Sequence, residues 1–273
     1  MKKADLSSFR PPSLAAAVPI FPRGRNIIKT TISRPKSSSI KNSIDNNERT
    51  TSLEEIRVCT NRTCRRQGSL DILQILSGIA PPSVSVNSCG CLGRCGAGPN
   101  VVVLPQGAFV GHCSTPAKAA RLMVSLVCGF HRNDKDFERS SMECLEAFAL
   151  RKRAEDEMEK GNLDGALLFL SQAIELKPFG GVHITYKTRS TARLAMGNVC
   201  EALDDAKEAL TLAPNYPEGY ICQGDALTAM DQIDAAEKSY AMALELEPSL
   251  RRSKSFKARI AALQEKLSPS NAA

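Results

Sequence analysis

The chain has 273 residues, 42% hydrophobic and 24% charged, which is ordinary for a globular protein and sufficient for one or two domains. Trp is absent and aromatics are 5%, so the core must be aliphatic and Ala-rich; no apolar run reaches the ~18 residues a membrane-spanning helix needs. The net charge of +7 is split: residues 1–50 hold ten Lys/Arg against three Asp/Glu, residues 56–128 seven against one, and residues 129–273 19 against 23. No basic stripe of the kind that tracks nucleic acid is present.

In chain order, residues 1–50 are rich in Ser (eight) and poor in acids, with no apolar central run. Transit peptides have this composition and secretory signals do not. The expected destination is the chloroplast, in the stroma or at the thylakoid, because Ser is abundant and Arg moderate; the mitochondrion is the alternative. Ten Cys in an organellar interior argue against a disulfide framework.

Residues 56–128 predict an α/β unit. Ile56–Thr60 reads as a strand. Apolar residues at 70, 72, 73, 75 and 76 suit a helix capped by Ser69. Val84–Asn87 alternates like a strand, and Val101–Leu104 with Ala108–Val110 reads as a hairpin ended by His112. Pro116 opens a last helix that runs to about Cys128.

The strand-end loops of this unit carry Cys59, Cys64, Cys91 and Cys95, spaced C-x4-C and C-x3-C with 26 residues between the pairs. Four thiolates in two close pairs suit a tetrahedral metal ion or an iron–sulfur cluster. Glycines 90, 93, 96 and 98 let backbone amides approach an anionic centre. Arg62, Arg65, Arg66 and Arg94 lie within three residues of a proposed ligand and would offset its charge. The six other Cys, Cys89, Cys113, Cys128, Cys144, Cys200 and Cys222, fall among small or apolar neighbours, and most read as buried structural thiols. Nucleophilic Cys chemistry is not expected, since His112, His131 and His183 have no evident orienting partner.

The pattern Cys59, Cys64, Cys91-Leu-Gly-Arg-Cys95 and Gly96-Ala-Gly-Pro99 resembles the thioredoxin-like 2Fe–2S ferredoxins and the related small subunit of respiratory complex I. That resemblance implies a 2Fe–2S cluster on the four Cys, with zinc or no metal as alternatives. The short gap between the pairs suits the compact ferredoxin version better. Cys89 is an extra thiol that could exchange with a ligand.

Residues 129–140 read as a charged linker. Beyond it the chain repeats itself. Pro178, Pro214 and Pro248 recur at steps of 36 and 34, preceded at fixed offsets by Ala166/Ala202/Ala236 and Ala173/Ala209/Ala243. Small residues let helices pack closely, and Pro ends each second helix. The pattern resembles tetratricopeptide repeats (TPR): three helix pairs over residues 141–249 and a capping helix over 250–267. The predicted fold class is therefore an α/β thioredoxin-like ferredoxin domain followed by an all-α TPR solenoid.

The resemblance implies a protein partner in the groove, with Arg151, Glu155, Lys187, Arg189 and Tyr220 as candidate contacts. The subset of TPR domains that grips chaperone tails uses Lys and Asn where this chain has Arg151, Glu155, Thr188, Glu218 and Cys222, so that role is not expected. No nucleotide loop, flavin motif or acid/base constellation is present, so no catalytic activity of its own is expected. The functional expectation is an organellar adaptor carrying a 2Fe–2S cluster, peripheral to a membrane complex by analogy. An electron-relay subunit and a cluster-less scaffold are the alternatives.

Overall fold

The computed structural model describes residues 55–128 and 134–267. The targeting-like segment 1–50 lies outside the described residues.

The first half is built on a four-stranded mixed sheet of order β2-β1-β3-β4. Its strands are β1 (Glu55–Cys59), β2 (Ser85–Cys89), β3 (Val101–Leu104) and β4 (Ala108–Val110). β1 runs parallel to β2, pairing Cys59 with Cys89, while β3 runs against β1, pairing Val58 with Val101. β4 closes the hairpin, with Val101 opposite Val110. This register puts the end of β1, the end of β2 and the start of β3 at one edge. Both Cys loops therefore leave the sheet at the same end. There Cys59 N–H donates to Asn100 O (2.9 Å) and Thr60 N–H to Cys89 O (3.0 Å).

Helix α1 (Arg62–Arg66) follows β1, α2 (Ser69–Ile79) links β1 to β2, and α3 (Pro116–Cys128) follows the hairpin. Ile56, Val58, Leu76, Val101, Ala119, Ala120 and Met123 are fully buried in one cluster between sheet and helices. Burying an aliphatic side chain of this size stabilises the fold by about 1.5–3 kcal/mol. Ser69 does not cap α2. Gly68 holds that place in the left-handed region (φ 88°), and the Ser69 hydroxyl is buried inside the first turn. The tight reversal out of α1 demands positive φ there, which glycine adopts without cost from a Cβ.

The second half is a TPR-like solenoid. Its helix pairs are α4 (Asp134–Glu159) with α5 (Leu163–Glu175), α6 (Val182–Ala195) with α7 (Val199–Leu212), and α8 (Pro217–Ala229) with α9 (Ile233–Leu246). A final helix, α10 (Lys254–Leu267), packs on α9. The six repeating alanines are at most 1% exposed, so each marks a close helix crossing. Gly224 serves the same end against a larger neighbour: a Cβ there would stand 2.5 Å from the Tyr240 ring. Half of the predicted linker is helix. Residues 134–140 form the start of α4, where Arg139 bridges Asp136 and Glu143 at i,i+3 and i,i+4, and Glu138 pairs with Arg121 of α3 (3.2 Å). Alternating charge reads as linker in sequence, but such pairs support a helix once its neighbour is in place.

The two halves share one core. Cys144 of α4 is buried in the sheet-domain cluster, with Phe148 of α4 and Phe179 of the α5–α6 loop packed against it. At the seam the end of α2 meets Gly180 and Gly181. Gly181 N–H donates to Ala80 O (3.0 Å), and a Cβ on Gly78, Gly180 or Gly181 would collide with the facing strand of atoms. The Arg151 guanidinium seals the junction. It donates to Gly78 O (3.1 Å) and Gly181 O (3.2 Å) with the residue 4% exposed.

Candidate functional site: paired thiols and helical groove

The β1–α1 turn places Cys59 and Cys64, and the loop from β2 to β3 places Cys91 and Cys95. The first pair is buried and the second exposed. Cys91 and Cys95 Sγ stand 3.7 Å apart, and the Cys59 and Cys64 thiols are also in hydrogen-bond contact. Cys59 receives the N–H of Leu92, which ties the first pair to the loop of the second. Gly93 N–H points at Cys91 Sγ (3.4 Å), and Asn100 Nδ2 at Cys64 Sγ (3.6 Å). Asn100 is itself buried and oriented by a second bond to Arg94 O (2.7 Å).

These contacts set the thiol acidities. Burial pushes the Cys59 thiol up, but the N–H groups of Asn61 and Leu92 outweigh it and hold the thiol below its ordinary value. Cys64 is raised, chiefly by burial and against the pull of Asn100. Cys95 is raised by its bond with Cys91. Among the described residues no group of three or more Cys, His, Asp or Glu side chains is placed to hold a metal ion. The thiols are arranged two by two.

Arg62, Arg65, Arg66 and Arg94 are all exposed around this end of the sheet. Arg94 stacks over the half-exposed Phe109 ring at 4.6 Å. His112, beyond β4, has φ 55°; its N–H donates to Ala97 O (2.6 Å), and its carbonyl accepts from Lys118 Nζ (2.9 Å). It braces the loop and stays outside the thiol set. Of the other cysteines, Cys113, Cys144 and Cys222 are buried and Cys89 is half-buried, whereas Cys200 is exposed on α7. Cys200, in the first turn of α7, is the exception among them.

The first helices of the pairs, α4, α6 and α8, touch in succession and form one wall of the solenoid. Three residues expected to contact a partner from this wall do internal work instead. Arg151 is consumed by the seam. Arg189 makes a two-pronged pair with the buried Asp205 (2.7 and 2.9 Å), to which Arg193 adds a third contact (2.8 Å). Tyr220 packs against the apolar cluster between repeats. Glu155 remains on the wall, salt-bridged to Lys152 (2.6 Å), and Lys187 is half-buried beside Cys222. At the other clamp positions Thr188 and Cys222 are buried and Glu218 is exposed.

His183 is a site residue that periodicity did not pick out. It opens α6 under Tyr216, ring centroids 5.0 Å apart and edge-on, beside a cavity of about 290 Å³ that also touches Pro82 and Ser83. Burial and the nearby Arg151 charge hold its pKa down at about 4.

No family model matches the chain. Curated relatives include the STIP1 homolog of Dictyostelium discoideum, 37% identical over 86 residues that make up 32% of this chain and 15% of that protein. They also include the Hsp70-Hsp90 organising protein of Plasmodium falciparum, 30% identical over 104 residues, 38% of this chain and 40% of that one. The chain thus spans less than half the length of these relatives. Among solved structures, the first TPR of Spaghetti (RPAP3) bound to HSP90 peptide SRMEEVD is 21% identical, with a TM-score of 0.41, covering 45% of this chain and 96% of that chain. No helix among the described residues is long and apolar enough to cross a membrane.

Proposed function

We propose that this chain is a cluster-bearing adaptor: the four thiols hold a 2Fe–2S cluster in a thioredoxin-like unit, and the solenoid holds a protein partner. The two-by-two arrangement of Cys59/Cys64 and Cys91/Cys95 carries the first half. Thiolates at ~2.3 Å from one tetrahedral metal stand ~3.8 Å apart, and Cys91 and Cys95 already stand 3.7 Å apart. A binuclear cluster takes one pair on each iron. The pairs lie near enough for Cys95 to feel the Cys59 and Cys64 charges, as a core that takes one iron on each pair requires. The thioredoxin-like reading is supported by a mixed sheet in which only β3 runs against both its neighbours.

When bound, such a cluster supplies one-electron redox chemistry. The chain's own residues would set its environment. The N–H groups of Leu92 and Gly93 and the Asn100 amide donate to sulfur, which favours the thiolate form. The exposed arginines balance part of the negative charge through solvent. An import signal for the plastid, with the mitochondrion as alternative, completes the proposal and rests on the composition of residues 1–50.

The adaptor half rests on the solenoid, whose relatives include organisers of Hsp70 and Hsp90. That similarity favours a second reading, in which the partner is an acidic chaperone tail. The wall speaks against it: Arg151 is spent at the seam, Thr188 and Cys222 are buried, and Glu218 would repel a carboxylate. Titration with the fluorescein-labelled peptide SRMEEVD separates the readings. The proposal expects no saturable binding in the Arg65→Glu/Arg66→Glu variant, whose solenoid is intact; saturation of that variant at micromolar peptide replaces it with the chaperone reading. Iron and acid-labile sulfide analysis of anaerobically purified protein tests the cluster, and a colourless, iron-free product eliminates it.

A further inference from the structure

We infer that the thiol-loop end of the sheet is a docking face for an acidic protein, gripped by Arg62, Arg65, Arg66 and Arg94, with Phe109 beneath Arg94. The inference deepens the adaptor proposal by naming the chemistry of the partner that meets the thiols.

The solenoid and the sheet domain use arginine in opposite ways. In the solenoid Arg189 and Arg193 converge on Asp205, and Arg259 binds Asp225 at 2.7 Å. Around the thiols, none of the four arginines is paired with a carboxylate among the described residues. Residues 56–128 contain a single acid, Asp71, against seven basic residues. Glu55, just before them, is engaged by Arg57 at 2.8 Å. Even against the charge of about −2 on an oxidised four-thiolate 2Fe–2S cluster, the four guanidinium groups leave a net positive field over one end of the domain.

Two features make that field a docking face rather than a solvated rim. Phe109 is 45% exposed beneath the Arg94 guanidinium, an apolar centre with a charged edge. Cys91 and Cys95 are exposed within the same patch. Arginine and aromatic residues are enriched at protein interfaces, and the guanidinium fork matches carboxylate geometry. A lipid surface would call for an amphipathic helix, and α1, with five residues and no apolar face, is not one. A nucleic acid would call for a long basic groove or stripe, whereas these charges sit in two short segments, Arg62–Arg66 and Arg94. Complementary charge raises the association rate and orients the partner, placing the exposed thiols at the contact.

The test uses the full chain and fluorescence anisotropy. The probe is a fluorescein-labelled acidic helical peptide with alternating Glu and Leu turns. A single-stranded DNA of about 20 nucleotides and vesicles with about 30% phosphatidylglycerol serve as competitors. The expected result is saturable peptide binding that weakens steeply with salt. It falls at least ten-fold in the Arg65→Glu/Arg66→Glu variant and several-fold in Phe109→Ser. Lys254→Glu/Lys257→Glu, exposed at the far end on α10, leaves it unchanged, and unchanged melting curves confirm that each variant folds. Peptide binding indifferent to Phe109 and the arginines overturns the inference, as does ten-fold tighter binding of the DNA or the vesicles. Wild-type protein that lacks iron but binds peptide normally refutes the cluster reading alone. Retained iron without peptide binding refutes the docking face alone.

Discussion

Arg151 is expected to hold the sheet domain and the solenoid together as one cooperative unit. Its guanidinium spans Gly78 O of α2 and Gly181 O of the α5–α6 loop, at 3.1 and 3.2 Å, in a seam where it is 4% exposed. Hydrogen bonds to charged groups contribute about 1.5–3 kcal/mol each. Against this stands the cost of burying the charge, which lowers the Arg151 pKa and is only partly relieved by Glu155 at 3.9 Å. Truncation also strands two buried carbonyls and opens a cavity beside Phe148. Arg151→Ala should therefore destabilise the protein by about 3–4 kcal/mol, and Arg151→Met, which keeps the stem, by about 2 kcal/mol. Urea unfolding followed by circular dichroism measures the loss. Hydrogen exchange locates it: peptides covering 72–80 and 179–186 should lose protection well before α8 and α9 do. Arg153→Ala, one turn-face away and exposed, is the control. If Arg151→Ala costs no more than this control, or if exchange rises evenly along the chain, the seam does not depend on the guanidinium.

Further outcomes follow from other buried groups. His183 is held near pKa 4 in the fold against an ordinary 6.5, so the unfolded chain binds its proton first as pH falls. Stability should be flat above about pH 6.5 and decline by up to about 3 kcal/mol towards pH 4, and His183→Phe should flatten that part of a pH series of melts. Asp205→Asn removes the shared partner of Arg189 and Arg193 at a 2% exposed site, and should cost about 3–5 kcal/mol in denaturant titrations. Gly224→Ala pushes a methyl against Tyr240 and should cost about 1–3 kcal/mol, while Ala229→Gly on the same helix costs about 1 kcal/mol. Asp231 holds φ 57° at the turn where the earlier repeats have Gly161 and Gly197. Asp231→Gly should therefore leave the melting temperature unchanged or raise it, because relief of strain of about 1 kcal/mol offsets an exposed ion pair to Lys266.

The helix pairs were legible because their cause is periodic. Ala166, Ala202 and Ala236 must be small for the same reason in each repeat, so three registers report one packing requirement. The closeness within each thiol pair was legible because C-x4-C and C-x3-C spacings at strand-end turns bring two sulfurs together. The seam was not. Arg151 reaches across 73 residues to a backbone carbonyl, and any residue can supply a carbonyl, so no motif marks the acceptor. Arg189 pairs with Asp205 sixteen residues on, and no motif marks that partner either. Ser69 was misread because the local preference for a Ser cap gave way to the turn at Gly68, which only the packing of α1 against α2 enforces.

The central claim is that two thiol pairs hold two irons. Its most direct test is a Mössbauer spectrum, with matched iron and sulfide analysis, of full-length protein made with ⁵⁷Fe and purified without oxygen. The account predicts about two irons and two sulfides per chain, a diamagnetic high-spin ferric pair in four-sulfur coordination, and loss of that signal in Cys59→Ala and Cys95→Ala alike. One zinc per chain with no sulfide, or an iron signal that survives both substitutions, contradicts it.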